Sequence, residues 1–360
     1  MKILVDIGHP AHVHYYKNLL MLLKDRSHSY LVVARERDVV FELLAQYKIK
    51  YYNRGGGSDS RFGKLFYMMG ANIYIFKLAY KYKPDITLSF SSPYLAQTAY
   101  FLRIPHIAMN DTEHTDKMHK VFTYPFSSEI LTPVYYGNDL GFKHKKFNSF
   151  VESLYLSKPY YHPEDSIYYL LGIKTNDEYA IIRFVSWHAH HDFGHSGMDY
   201  DTKIEIVRIL SKSYKVFISS ESELPDELNS YAINIPAHRM HDALNYASIF
   251  VGESATMASE SALLGVQTIY VNSLPLMGYL KTESEYGLLK YFSSSDGLVE
   301  HIKNMLIKPN SKVLLRRRRD KMINSFIDPV QFLVWFLEKY PLSSQIMKEK
   351  PDYQSRFRYE

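Results

Sequence analysis

"VGESATMASESALLGVQTIYV" occupies residues 251–271, and its reading decides the fold. An apolar strand ends at Gly252, Ser254, Ala255 and Thr256 open a helix that ends at Gly265, and a second apolar strand follows. Strand, helix and strand in so short a space make a βαβ unit of a parallel sheet. The helix mouth is built from small side chains. Its free N–H groups and the positive end of the helix dipole attract an anion, and small residues let a phosphate come close. Glu260 lies about one turn further in, where a carboxylate can accept both hydroxyls of a ribose. The same residues also read as an ordinary Ser/Thr-capped helix with a solvated Glu260, and the stretch alone leaves both readings open.

Working outward, the pattern repeats. "EYAIIRFVSW" is a strand, "DTKIEIVRILSKS" a helix, "YKVFISS" a strand, "RMHDALNYA" a helix and "SIFVGES" a strand. The first half alternates in the same way. "KILVDI" is a continuous apolar run suited to a strand covered on both faces. Tyr15, Leu19, Leu20 and Leu23 then recur at helical spacing. "SYLVVARE", "PDITLSF" and "PHIAMN" are further strands, separated by helical stretches. Between residues 140 and 175 the pattern lapses into turn formers, the best candidate linker.

The expected architecture is therefore α/β, with two Rossmann-like, doubly wound parallel-sheet domains facing each other across a cleft. Residues 1–160 form an N-terminal domain and 161–325 a C-terminal one. Residues 326–345, with Phe332, Trp335 and Phe336, form a helix expected to cross back to the first lobe, and 346–360 are a tail.

The totals narrow the function. A 360-residue chain exceeds one ordinary core, and 22% charged residues suit a globular protein. With no cysteine there is no disulfide, no thiolate metal site and no cysteine nucleophile. A net charge of +5 without a dominant basic element argues against a nucleic-acid partner. Its densest block, Arg316–Arg319, reads as a solvated helix face or a phosphate-facing edge. The N-terminus reads as a buried strand, not a signal peptide, and no run is long and apolar enough to span a bilayer. "NRGGGSDS", with no strand directly before it, reads as a flexible loop over the cleft. Segment 61–82, "RFGKLFYMMGANIYIFKLAYKY", mixes cations with Phe, Tyr and Met. It suits an interfacial helix meeting a lipid-linked acceptor, but its apolar positions run nearly all round, which fits a buried helix better.

Three clusters carry the candidate chemistry. His9, His12 and His14 crowd the first strand-to-helix turn, "DIGHPAHVHYY", where open α/β folds bind ligands. Histidine is mostly neutral at pH 7, so His12 can take a proton from an acceptor hydroxyl, or can simply cap the helix. "MNDTEHT" puts Asp111, Glu113 and His114 after another strand, where they either line the same cleft or form a capped turn with solvated acids. One carboxylate would orient His12 or be the base itself. "RFVSWHAHHDFGHSG" offers Arg183, Ser186, His188, His190, His191, Asp192 and His195. Its histidines invite a zinc reading, but a helical His pair with a glutamate base is missing. A loop facing a diphosphate fits better, with Ser186 and His188 well placed and Arg183 too deep in its strand.

The 251–271 stretch resembles the donor-site motif of GT-B glycosyltransferases and of the related non-hydrolysing UDP-N-acetylglucosamine 2-epimerases. With "DIGHPAHVHYYKN", "NDTEHT" and "RFVSWHAHHDFG", the chain from Met1 to about Pro341 resembles an uncharacterised bacterial and archaeal family of that superfamily. "HPAHV" matches the glycine-rich first turn of the transferase that adds N-acetylglucosamine to peptidoglycan lipid intermediates. His12 falls on the motif histidine, while His9, Pro10 and Ala11 replace its usual glycines.

The resemblance implies a GT-B-like fold and a metal-independent transfer of a sugar from a nucleotide-diphosphate donor to a hydroxyl, in surface polysaccharide or glycolipid assembly. Ser254, Ala255 and Thr256 would hold the diphosphate and Glu260 the ribose. Ser186 and His188 would stabilise the leaving group, and His238 and Arg239 fall on the segment that touches the base. His12 is the first choice of catalytic base, with Asp111, Glu113 and His114 beside it. No cofactor and no metal are implied beyond a donor substrate such as a UDP-sugar. The partners are that nucleotide sugar and a glycan or lipid-linked acceptor, in the cytoplasm or at the inner face of the membrane with peripheral contact. The alternatives are a nucleotide-sugar epimerase on the same scaffold and a non-catalytic nucleotide-sugar-binding protein.

Overall fold

The N-terminal apolar run forms strand β1 (Lys2–Ile7), buried from Ile3 onward inside a seven-stranded sheet. The computed structural model describes residues 1–57, 61–185, 197–307 and 311–359, with the backbone alone at 61, 62, 64 and 65. The chain divides into two units, one of Met1–Tyr160 with Ser325–Glu360 and the other of Tyr161–Asn324.

After β1 the first unit runs α1 (Pro10–Asp25), β2 (Ser29–Ala34), α2 (Val40–Gln46), β3 (Tyr51–Asn53) and α3 (Arg61–Tyr82). It continues through β4 (Ile86–Ser89), α4 (Pro93–Phe101), β5 (His106–Met109), α5 (Asp116–Phe122), β6 (Glu129–Pro133), β7 (His144–Phe147) and α6 (Ser153–Leu156). The sheet order is β3-β2-β1-β4-β5-β6-β7, and every pairing is parallel. The chain winds outward from β1 to β3 and then crosses to β4 on the other side. Right-handed crossovers place α1 and α2 on one face and α3, α4 and α5 on the other. The topological switch point lies between β1 and β4, where Asp6 is level with Ser89.

The second unit runs α7 (Ile167–Leu170), β8 (Tyr179–Phe184), α8 (Tyr200–Leu210), β9 (Lys215–Ser220), α9 (Met240–Tyr246), β10 (Ile249–Gly252) and α10 (Ala255–Leu263). Then come β11 (Gln267–Val271), α11 (Gly278–Glu285), β12 (Leu289–Phe292), α12 (Leu298–Ile307) and α13 (Lys312–Ile323). Its five parallel strands lie in the order β12-β11-β10-β8-β9, so its switch point falls between β8 and β10. There Gly252 sits level with Arg183, and a Cβ at Gly252 would come within 2.8 Å of the Arg183 Cβ. Only glycine lets the two strands approach so closely at their ligand-facing ends. The two α/β units, each built on a parallel sheet, match the fold class read from the alternating pattern.

The last segment belongs to the first unit. Helix α14 (Pro329–Glu338) buries Phe332, Leu333 and Phe336, and Glu338 pairs with Arg26 and His28 at the end of α1. Asp328 caps it by accepting from the N–H groups of Val330 and Gln331. Helix α15 (Leu342–Glu349) follows.

Four expectations need correction. The stretch read as a linker does hold the boundary between the units, at Tyr160 and Tyr161, but it also contains β7, an edge strand whose short "HKKF" run buries only alternate residues and so carries little apolar signal. "NRGGGSDS" is anchored at its start, where Arg54 is buried and Arg35 Nε donates to the Gly56 carbonyl at 2.7 Å, while its residues 58–60 lie outside the described residues. The arginine block is not merely solvated, since Arg318 and Arg319 donate to the Gly287 and Leu264 carbonyls just past the ends of α11 and α10. Favourable pairing of cations with helix C-termini accounts for this. Lastly, α3 is not buried all round. Ala71, Ile75 and Ala79 face the sheet, whereas Phe66, Met69, Ile73, Phe76 and Tyr80 are exposed, Phe66 to 71%. Two alanines and Ile75 lie inward, and a row of larger side chains faces outward.

Candidate functional site

The mouth of α10 lies at the switch point of the second sheet and His12 at that of the first, the place where doubly wound sheets bind ligands, while Asp111, Glu113 and His114 follow β5, one strand further along. In the second unit, Ser254 caps α10, its hydroxyl accepting from the Met257 N–H at 3.4 Å. Ser254, Ala255 and Thr256 are half-buried at the helix mouth, while Ala258 to Leu263 are buried. The first N–H groups of the helix have no acceptor within it, so the mouth is a donor-rich, small-residue surface. Glu260 is only 5% exposed, and its carboxylate takes a hydrogen bond from His241 Nε2 on α9 at 3.0 Å. The ribose candidate is thus held from behind by a neighbouring helix.

The next candidates are placed differently. Arg239 reaches Asp242 at 2.6 Å, the Ser166 hydroxyl at 2.8 Å and the Glu164 carbonyl at 3.3 Å. Asp242 also accepts from the Tyr161 hydroxyl. The Arg239 guanidinium therefore ties α9 to the segment that begins the unit. His238 is half-buried on the short turn before α9. Ser186 and His188 lie outside the described residues, as does the rest of the histidine-rich run to Ser196.

Glu253, beside the Ser254 cap, escaped the sequence reading. Its buried carboxylate pairs with Lys203 at 3.1 Å and accepts from the Val185 N–H at 2.8 Å and the Met198 N–H at 2.7 Å. One side chain thus fixes the end of β8, the start of α8 and the α10 turn together. Gly197 packs so tightly on it that a Cβ there would clash with the carboxylate. Partners at separations of 50 to 68 residues leave no local signal in the sequence.

In the first unit the three histidines of the opening turn separate. His9 caps α1, accepting from the Ala11 N–H at 3.2 Å. His14 is buried beside Tyr155 and Tyr47, a core residue. His12 sits against Phe90 at the end of β4, 4.9 Å between ring centroids, and its Nδ1 accepts from the Gly8 N–H at 3.3 Å. Burial, helped by the charges of His9, Arg54 and Arg37, holds its pKa well below 6.5, so the ring is neutral. With Nδ1 occupied as an acceptor, the neutral ring carries its proton on Nε2. As it stands, Nε2 donates; accepting a proton there requires releasing Gly8.

Asp111 follows β5, two strand positions from β1 and so about 10 Å across the sheet edge. It is buried, and Thr112 Oγ1 donates to it at 2.7 Å. Burial, aided by the nearby Glu113 charge and opposed by the Thr112 bond, raises its pKa to about 6. The preceding Asn110 is fixed by the Tyr124 and Tyr136 hydroxyls, which themselves donate to the buried Asp116. Glu113 is half-buried and accepts from the Gly137 N–H, and His114 is exposed. Of the three, Asp111 alone is buried.

A second missed feature joins the strand ends. Asp6 and Arg54 pair at 2.8 Å, both buried; Ser92 donates to Asp6, and Arg54 donates to the Tyr67 hydroxyl at 2.5 Å and stacks on Tyr94. This network ties β1, β3, α3 and α4 together at the switch point. Among the described residues no cluster of three or more His, Asp or Glu is placed to hold a metal ion.

A family model described as "Protein of unknown function (DUF354)" matches residues 1–334. An uncharacterized protein of Methanocaldococcus jannaschii is 24% identical over 331 residues, covering 88% of this chain and 95% of its own. Among solved structures, the UDP-GlcNAc 2-epimerase of Neisseria meningitidis, bound to UDP-GlcNAc, matches with a TM-score of 0.68 at 14% identity, over 94% of this chain and 100% of that one. The glycosyltransferase SsfS6 of Streptomyces sp. SF2575 matches with a TM-score of 0.56 at 13% identity, over 94% and 100%. At such identities the likeness shows the fold, a pair of Rossmann-like units of the GT-B kind.

Proposed function

The chain belongs to that family, Protein of unknown function (DUF354), and from this premise we propose that it is a glycosyltransferase moving a sugar from a nucleotide-diphosphate donor to a hydroxyl acceptor. The observation that carries the reading is the coincidence of motif and topology. The small-residue mouth of α10 stands at the switch point of the second sheet, and a group able to move a proton stands at the edge of the first.

In this reading the diphosphate takes the N–H groups of Ala255 and Thr256, and Glu260, steadied by His241, takes the ribose. Asp111 is the base, because a carboxyl with a pKa of about 6 is ionised at pH 7 yet still basic enough to accept a proton. His12 presents Nε2–H to an acceptor oxygen and so positions it. Direct attack by the hydroxyl, with its proton passing to Asp111 and the nucleotide diphosphate leaving, inverts the anomeric carbon. UDP is the first nucleotide to test, since the epimerase of Neisseria meningitidis, which shares this fold, is bound to UDP-GlcNAc.

The epimerase reading stays beside it because the stronger of the two structural matches is an epimerase. Incubation with a nucleotide sugar decides between them. Free nucleotide diphosphate that forms only when an acceptor is added supports transfer. A C2 epimer formed from the nucleotide sugar alone supports the rival, and tight binding with neither product leaves a binding protein.

A further inference from the structure

Helices α3, α4 and α5 form one layer on a face of the first sheet. Asn72 of α3 donates to Gln97 of α4 at 2.9 Å, and Gln97 donates to the Phe122 carbonyl of α5 at 3.1 Å. The layer exposes Phe66, Met69, Ile73, Phe76 and Tyr80 from α3, Tyr100 and Phe101 from α4, and Met118, Val121 and Phe122 from α5. The α3 residues recur at alternating intervals of three and four, so they form one stripe along the helix. So large an apolar surface on one layer marks a contact site.

Its charges choose the occupant. Lys77, Lys81, Lys117 and Lys120 are exposed on α3 and α5, and the one carboxylate in the three helices, Asp116, is buried and hydrogen-bonded. A second copy seated on this face by two-fold symmetry would set lysine against lysine with no acid to pair. An anionic lipid surface meets both features, taking the aromatic and aliphatic side chains below its headgroups and the lysines at them. A cavity of about 430 Å³ opens within the same layer, lined by Tyr67, Met68, Tyr94, Met118 and Phe122 with Arg35 beside them. Met118 and Phe122 belong to both cavity and exposed face, so the apolar surface continues into the unit.

We propose that the α3–α4–α5 face is a docking surface for an anionic lipid bilayer, with the cavity receiving part of a lipid chain. The proposal does not depend on which reaction the protein carries out.

Co-sedimentation of the full chain with phosphatidylcholine vesicles, with and without phosphatidylglycerol, tests it. Binding is expected to vesicles containing phosphatidylglycerol and to weaken as salt is added. Lys77→Glu with Lys81→Glu should lower that binding by at least about tenfold, since each lysine near an anionic surface contributes roughly fivefold. Ile73→Ser with Phe76→Ser should lower it comparably while the circular dichroism spectrum stays native. Hydrogen exchange on the unmutated chain gives a reading that needs no variant: vesicles should slow exchange in residues 66–82. The proposal is overturned by a chain that stays in the supernatant with anionic vesicles at low salt. It is equally overturned by unchanged exchange in 66–82, or by a dimer that Ile73→Ser with Phe76→Ser converts to monomer.

Discussion

Asp111 and Glu253 are both buried acids beside a sheet edge, and their surroundings give them different work. Around Asp111 there is one hydroxyl donor and a neighbouring acid, so its carboxyl is pushed up to about 6. Asp111→Asn is expected to lower turnover by roughly 10²–10⁴-fold and to remove an acid limb near pH 6 from the rate profile, while donor affinity is kept. A steady-state pH profile beside a donor titration checks both. Glu253 instead faces a buried lysine and two backbone donors. Glu253→Ala takes the carboxylate away from the buried Lys203 and from two backbone donors, and should cost about 3–5 kcal/mol of stability, readable by denaturant unfolding. The sequence announced Asp111 through its place after an apolar strand. It could not announce Glu253 or the Asp6–Arg54 pair, because their partners are distant along the chain and meet only once the sheets have formed.

Among the elements, α10 was the most legible and α3 the least. The α10 stretch has a capping serine, small residues, a buried face and a terminal glycine, each a local signal that agrees with the others. Behind it the packing holds a group with no local signature. Glu283 of α11 is fully buried and accepts from the Ser259 hydroxyl of α10 at 2.5 Å. Burial pushes its carboxyl up to about 8 from 4.5. The folded chain therefore holds a proton there that the unfolded chain releases above pH 4.5. Stability should fall as pH rises from about 4.5 to 8, by up to about 1.4 kcal/mol per unit. Glu283→Gln should flatten that slope, and melts across the same pH range measure it. Helix α3 misled because apolar residues all round a helix suggest burial, whereas its sheet-facing side is made of Ala71, Ile75 and Ala79. The large side chains are left on the opposite face, and only the sheet's position reveals which side is which.

For the molecule as a whole, the alternating strand and helix pattern carried the architecture, since parallel strands covered on both faces read as unbroken apolar runs. The edge strand β7, half-buried and rich in lysine, did not. The chain's end completes its beginning: α14 lies on α1, with Phe336 fully buried. Phe336→Ala should cost about 3–5 kcal/mol, visible as an earlier unfolding transition in calorimetry. The proposed sugar transfer rests on a nucleotide sugar held at the mouth of α10. Calorimetric titration of the full chain with UDP-, GDP- and dTDP-sugars, repeated on Thr256→Glu, tests it most directly. Saturable binding of one of them, weakened at least about tenfold by the added carboxylate, is the predicted result. Absence of binding to all of them, or equal affinity in Thr256→Glu, would contradict it.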